Sequence, residues 1–190
     1  MLPCVTLVRH GETAWSASGQ HTGRTDIPLT EEGERKARGL RERLKGLTFD
    51  RVFTSPLQRA ARTCALAGFG EDAKVDPDLL EWDYGDYEGR KTNQILADRP
   101  GWLLFRDGCP NGESPADVGR RADRFVARLR AGDDRAIVFS SGHILRVLAS
   151  RWLGLEPSAG RLFKLDTASI SILGYEHDRN EPAVALWNEV

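Results

Sequence analysis

The chain has 190 residues, 40% of them hydrophobic and 29% charged, with a formal net charge of -1. That length suits one α/β domain with a substantial buried core, so a single unit spanning 1–190 is expected. The near-neutral charge argues against non-specific adhesion to nucleic acid or membrane, and no apolar run is long enough to span a bilayer.

The first element is a strand. Val5-Thr6-Leu7-Val8 is a short apolar run of the kind that forms a buried strand. It stops at Arg9-His10-Gly11, and a guanidinium and an imidazole there are costly unless something at that strand end uses them. In open α/β sheets, ligands sit beyond the carboxyl ends of strands. Gly11 can turn the chain with positive φ or let a ligand approach the backbone. A fixed cation beside a nucleophilic imidazole suits attack on a phosphate ester. The polar, aperiodic stretch from Trp15 to Asp26 reads as a loop. Thr30 before Glu31 and Glu32 is an N-cap, and Ala37, Leu40 and Leu44 carry a helix to about Lys45.

Arg51-Val52-Phe53-Thr54 is a second strand. Ser55 and Pro56 then read as N-cap and first residue of a helix ending near Gly68. This places Arg59 in the first turn, an anion site on general grounds, while Arg62, three residues on, pairs with an acid or caps packing. A third strand is expected from Val75 to Leu80, leading into Glu81-Trp82-Asp83-Tyr84-Gly85. A carboxyl held there against aromatics fits an acid that protonates a leaving group, because burial favours the neutral form. Thr92 opens a short helix broken at Arg99-Pro100. Ser114-Pro115 starts another, with Val118, Ala122, Phe125, Val126 and Leu129 as its apolar stripe. Ala136 to Ser140 is a fourth strand, feeding a helix through Leu153. Ser169–Tyr175 and Pro182–Trp187 form an antiparallel edge, joined by an exposed turn carrying His177.

Cys4, Cys64 and Cys109 are far apart and form no Cys-x-x-Cys pair. They fit buried thiols in a reducing cytoplasm better than a disulfide framework. The apolar start is only strand-long and ends in Arg9, so it does not read as a secretory leader. His10, His21, His143 and His177 lack local metal-ligand spacing, and no metal or cofactor is expected.

Arg9-His10-Gly11-Glu12-Thr13 resembles the signature of the histidine phosphatase superfamily, the phosphoglycerate mutase-like proteins. The resemblance extends over nearly the whole chain and implies a three-layer α/β/α sandwich with a mostly parallel central sheet and an antiparallel edge. It implies His10 as nucleophile, Arg9 and Arg59 as phosphate clamps and Glu81 as proton donor, with no divalent metal required. Thr22 and Gly23 match substrate-contact positions, where a hydroxyl and a backbone amide could donate to a phosphate or sugar oxygen. Tyr84 matches another contact. Ser16 departs from the asparagine usual there. The larger departure is Ser141, which stands where the family has its second catalytic histidine, while Gly142 and Arg146 keep register. Gly142 turns the chain into a helix whose backbone amides are expected to face the ligand. His143 lies two residues on, with a site role and a packing role both open. The short segment from Arg90 to Gly112 favours a phosphatase over a mutase.

The expected activity is therefore hydrolysis of a small phosphorylated metabolite, a sugar phosphate foremost, through a phosphohistidine. The rivals are a phosphoglycerate mutase and, because of Ser141, a phospho-ligand binding module without turnover. Exposed strand edges would permit a homodimer.

Overall fold

The computed structural model describes residues 2–190. A six-stranded sheet runs in the order β3-β2-β4-β1-β5-β6, built from β1 (Cys4–Arg9), β2 (Arg51–Thr54), β3 (Ala73–Val75), β4 (Arg135–Ser140), β5 (Ile170–Tyr175) and β6 (Pro182–Glu189). Strands β3, β2, β4 and β1 are parallel neighbours, whereas β5 is antiparallel to β1 and β6 to β5. The helices are α1 (Ala14–Ser18), α2 (Glu31–Arg43), α3 (Gln58–Leu66), α4 (Thr92–Asp98), α5 (Leu104–Asp107), α6 (Pro115–Arg130) and α7 (Gly142–Trp152). Among the described residues, no helix is long and apolar enough to cross a membrane.

Alternation along the strands sorts the core into two layers. Val5, Leu7, Ala136 and Val138 pack with Phe125, Val126 and Leu129 of α6 and with Leu145, Leu148 and Trp152 of α7. Val8, Ile137 and Phe139 pack on the other face with Leu40 of α2 and Cys64 of α3. A further cluster joins Trp82, Tyr84, Tyr87, Ile95, Trp102 and Phe105 to Val118, Ala122, Ile144 and Val147. It fastens the segment after β3 onto α6 and α7, and so forms one wall above the strand ends.

Local chemistry moved several expected boundaries. The loop after β1 contains α1, because Thr13 and Ser16 close a reciprocal capping box. The third strand ends at Val75 rather than beginning there. Asp76 accepts from the Asp78 amide, and Pro77–Leu79 winds into a 3₁₀ turn. Helix α3 begins at Gln58, two residues after Pro56, because the Ser55 amide is still donated to Phe139 O of β4. Arg59 nevertheless keeps its first-turn position. Helix α5 and a 3₁₀ segment at Pro157–Leu162 are additional elements.

Gly11 does not adopt the positive φ expected of it, and its contact with α2 is what demands a glycine. A Cβ built there would lie 2.4 Å from the Gly33 carbonyl oxygen, and one built on Gly33 would lie 2.1 Å from that of Glu12. Backbone therefore touches backbone where the loop after β1 crosses the first turn of α2, and only glycine fits both sides.

Candidate active site

His10 lies one residue past β1, its amide donated to Ser140 O of the neighbouring β4 at 2.9 Å. The imidazole is 4% exposed. Its Nδ1 lies 2.7 Å from the Gly11 carbonyl, which can only accept, so the proton sits on Nδ1 and the Nε2 lone pair is free. Burial holds this imidazole well below the ordinary histidine range, and the Arg9 and Arg59 guanidiniums push the same way. The ring is thus neutral, the form in which an imidazole nitrogen keeps a lone pair.

The two guanidiniums are held mainly by carbonyls. Arg9 Nη1 donates to Leu165 O at 2.5 Å. Arg59, fully buried, donates to Thr25 O at 2.9 Å, Thr22 O at 3.1 Å and Gly23 O at 2.8 Å. Those carbonyls are in turn positioned by Glu88, whose carboxylate accepts from the Gly23 and Thr25 amides. The Gly23 amide is therefore already engaged, and Gly23 meets Arg59 through its oxygen. The Thr22 hydroxyl donates to Gln20 O. Among the described residues, Arg9 Nε, Arg59 Nε and Ser141 Oγ are buried without a hydrogen-bond partner, as are the Nε atoms of Arg43, Arg51 and Arg130 elsewhere. Atoms of a bound ligand are one way to complete such groups.

Glu81 is buried and meets α7 end-on. Its Oε1 accepts from the Trp82 and Ile144 amides, and its Oε2 from that of His143, all at 2.8–2.9 Å. The amides expected to face a ligand are therefore largely taken by the acid, which caps α7 from outside the helix. Ser141, the N-cap residue, makes no side-chain capping bond. Arg121 of α6 fixes the backbone before Glu81 by donating to Asp78 O and Leu80 O at 2.8 Å and to Glu81 O at 3.3 Å. Glu113 grips the same guanidinium at 2.6 and 2.9 Å.

These parts meet in a cleft of about 120 Å³, lined in part by Arg9, His10, Thr22, Glu81, Tyr84, Gly142 and His143. Arg59 and Ser141, both fully buried, are not among the residues that line it. Ser16, Gln20, His21, Arg146 and Leu165 line it too, although the sequence reading assigned none of them to the site. Tyr84 Oη is 2.5 Å from His143 Nδ1. Burial, reinforced by Glu81, keeps the phenol protonated, so it donates to Nδ1 and leaves His143 with its hydrogen on Nε2. Among the described residues, no three of His, Cys, Asp and Glu are grouped to hold a metal.

The family pattern of the histidine phosphatase superfamily (branch 1) matches residues 5–190. The chain belongs to the histidine phosphatase superfamily. Relatives within this superfamily include an acid phosphatase of Mycobacterium tuberculosis, 44% identical over 94% of this chain and 89% of that protein. A sedoheptulose 1,7-bisphosphatase of Saccharomyces cerevisiae is 39% identical over 82% of this chain and 69% of its own length. A solved structure of a Mycobacterium tuberculosis open reading frame superposes with a TM-score of 0.93 at 40% identity, covering 98% of this chain and 97% of that one.

Three imidazoles at this histidine phosphatase's cleft carry a stability cost on the acid side. Burial lowers His10, His21 and His143, with Glu88 opposing the shift at His21 and Arg146 adding to it at His143. Near pH 6.5 the unfolded chain protonates these rings while the folded one does not. Stability is therefore full above that pH and falls as the pH drops. Thermal unfolding is expected to show a lower Tm at pH 5 than at pH 7, with a shallower decline in His143→Gln. Equal slopes in the two proteins would exclude the His143 contribution.

Proposed function

We propose that this chain is a phosphatase that hydrolyses a small phosphorylated metabolite, foremost a sugar phosphate, through a phosphohistidine on His10. The observation that carries this reading is the neutral imidazole with Nε2 unencumbered, set among two guanidiniums whose Nε–H groups have no protein partner. In the first step, Nε2 forms a bond to phosphorus in line with the ester oxygen. The P–O ester bond breaks, and the carboxyl of Glu81 gives its proton to the departing alkoxide. In the second step, water attacks phosphorus while the Glu81 carboxylate takes its proton. The P–N bond breaks, inorganic phosphate leaves and the imidazole is neutral again. Arg9 and Arg59 balance the charge on the phosphoryl oxygens throughout. Ser141 leaves no cation where the family's second histidine stands, which makes for a slower enzyme.

Thr22, Tyr84, Gly142 and His143 line the cleft and are assigned to substrate contact, as are Gly23 and Ser141, which do not line it. The whole chain is taken as one domain. Three free thiols, of which burial pushes Cys64 and Cys109 up to about 12, fit a cytoplasmic setting.

Inorganic phosphate release from a panel of sugar phosphates and small organic phosphates, measured with EDTA present, tests the reading. Release from at least one ester is expected. Transfer between hydroxyls exceeding release would make the chain a mutase. Tight vanadate binding with no release from any ester would make it a binding module.

A further inference from the structure

Arg9 is seated by one short segment, residues 165–169, and that segment is held from the edge of the sheet. The Arg9 amide donates to Ser169 O at 3.2 Å, its carbonyl accepts from the Ala168 amide at 3.1 Å, and Nη1 donates to Leu165 O at 2.5 Å. The Ala168 amide also reaches His10 O at 3.1 Å, with Ala168 in the left-handed conformation at φ 56°. Glycine enters that region freely, whereas alanine is strained there. Such strain persists only where the surroundings over-determine the backbone.

Those surroundings come from β6. From Ile170 to Ile172, β5 advances two positions, while β6 covers three between Glu189 and Leu186. The extra residue makes a bulge, and Asn188 lies in it with φ 57°. A bulge re-aims the side chain it carries. Here the carboxamide of Asn188 turns onto Asp166. Its Oδ1 accepts from the Asp166 amide at 2.6 Å, and its Nδ2 donates to Asp166 Oδ2 at 2.8 Å. A backbone N–H must meet the oxygen, so the orientation of the carboxamide is settled. The Asp166 N–H belongs to the same peptide unit as the Leu165 carbonyl that holds Arg9. A trans peptide is planar, with its N–H and C=O on opposite sides, so fixing one directs the other. The other end of the segment is tied by Arg43 of α2, which donates to Ala168 O at 3.0 Å.

Resting on the phosphatase reading above, in which Arg9 clamps the phosphoryl group, we propose that Asn188 is a positioning residue for that clamp. It locks the Leu165–Asp166 peptide plane, whose carbonyl then fixes the Arg9 guanidinium beside His10. The bulge at the far edge of the sheet is thereby part of the phosphate site, although Asn188 does not line the cleft.

Asn188→Gly removes the carboxamide and leaves a residue that takes positive φ without strain. For an ester that the wild type hydrolyses, kcat/KM is expected to fall about ten- to a hundredfold, the range a misplaced group costs. Vanadate affinity, measured by titration calorimetry, should fall by a similar factor, because the same guanidinium is misdirected. Asp166→Ala breaks the pair from the loop side and should show losses in the same direction. Added to Arg9→Lys, Asn188→Gly should cost little more than Arg9→Lys alone, whereas a merely structural role would make the two losses multiply. In the wild type the Asp166 amide should exchange its hydrogen slowly, a test that stands even if the variants fail to fold. Wild-type efficiency and vanadate affinity in both variants, losses that multiply fully, or a freely exchanging Asp166 amide would each overturn the role of Asn188 and leave the phosphatase reading intact. Weakened vanadate binding in both variants, with no phosphate released by the wild type from any ester, would keep the positioning role and end the phosphatase reading.

Discussion

Purified His10→Ala is expected to lose phosphatase turnover by a factor on the order of 10⁴–10⁶, the range seen when an enzyme loses its nucleophile. It should also lose acid-labile, base-stable labelling from a radiolabelled ester. Alanine removes the imidazole just past β1 whose Nε2 is unengaged, and neither His21 nor His143 can replace it. His143 has its lone-pair nitrogen engaged by Tyr84 at 2.5 Å. The ring of His21 packs against Tyr84 and Trp102, with centroids 4.8 and 5.7 Å away. Wild-type turnover by the alanine enzyme would end the phosphohistidine assignment. Retained folding is expected and can be checked by an unchanged circular dichroism spectrum.

Glu81→Gln should give the second largest effect, and its size should depend on the leaving group. A carboxamide cannot protonate an alkoxide, so kcat for an alkyl phosphate is expected to fall about 10²–10⁴-fold. Nitrophenolate leaves without a proton. With p-nitrophenyl phosphate the variant should release one equivalent rapidly, then slow as the phosphoenzyme waits for a base to activate water. A linear time course without that burst, at a rate matching the wild type, would show that another group handles the proton. The variant should also be less stable by about 1–3 kcal/mol, because an amide nitrogen must face one of the three backbone N–H groups that the carboxylate now accepts from.

What could be read from the sequence is what is encoded locally. The strands β1 and β4 show as apolar runs, and the starts of α2 and α6 show as Thr30 and Ser114-Pro115, because periodicity and capping act over a few residues. His10, Arg9 and Arg59 could be singled out because each lies at or just past a strand end or in a helix's first turn, whereas Glu81 follows a 3₁₀ turn and stood out only by its aromatic neighbours and the resemblance. The supports could not be. Glu88 orders the carbonyls that hold Arg59, and Arg121 gathers the carbonyls around Glu81. Both act on residues tens of positions away, and no local spacing signals such contacts. One hint existed for Arg121, since it falls on the apolar stripe of α6 between Val118 and Phe125. A buried guanidinium there needs partners. The sequence showed that Ser141 lacks an imidazole. Only the structure shows that Glu81 has taken over the amides following it.

The contact between Gly11 and Gly33 has a mechanical consequence. With no side chain between them, there are no rotamers to absorb a small displacement, so the strand end and the helix must travel as one piece. The orientation of the His10 ring is thereby tied to a helix thirteen residues long. Changes on the outer, charged flank of that helix leave that orientation alone, whereas anything that tilts its first turn swings the ring as a lever would.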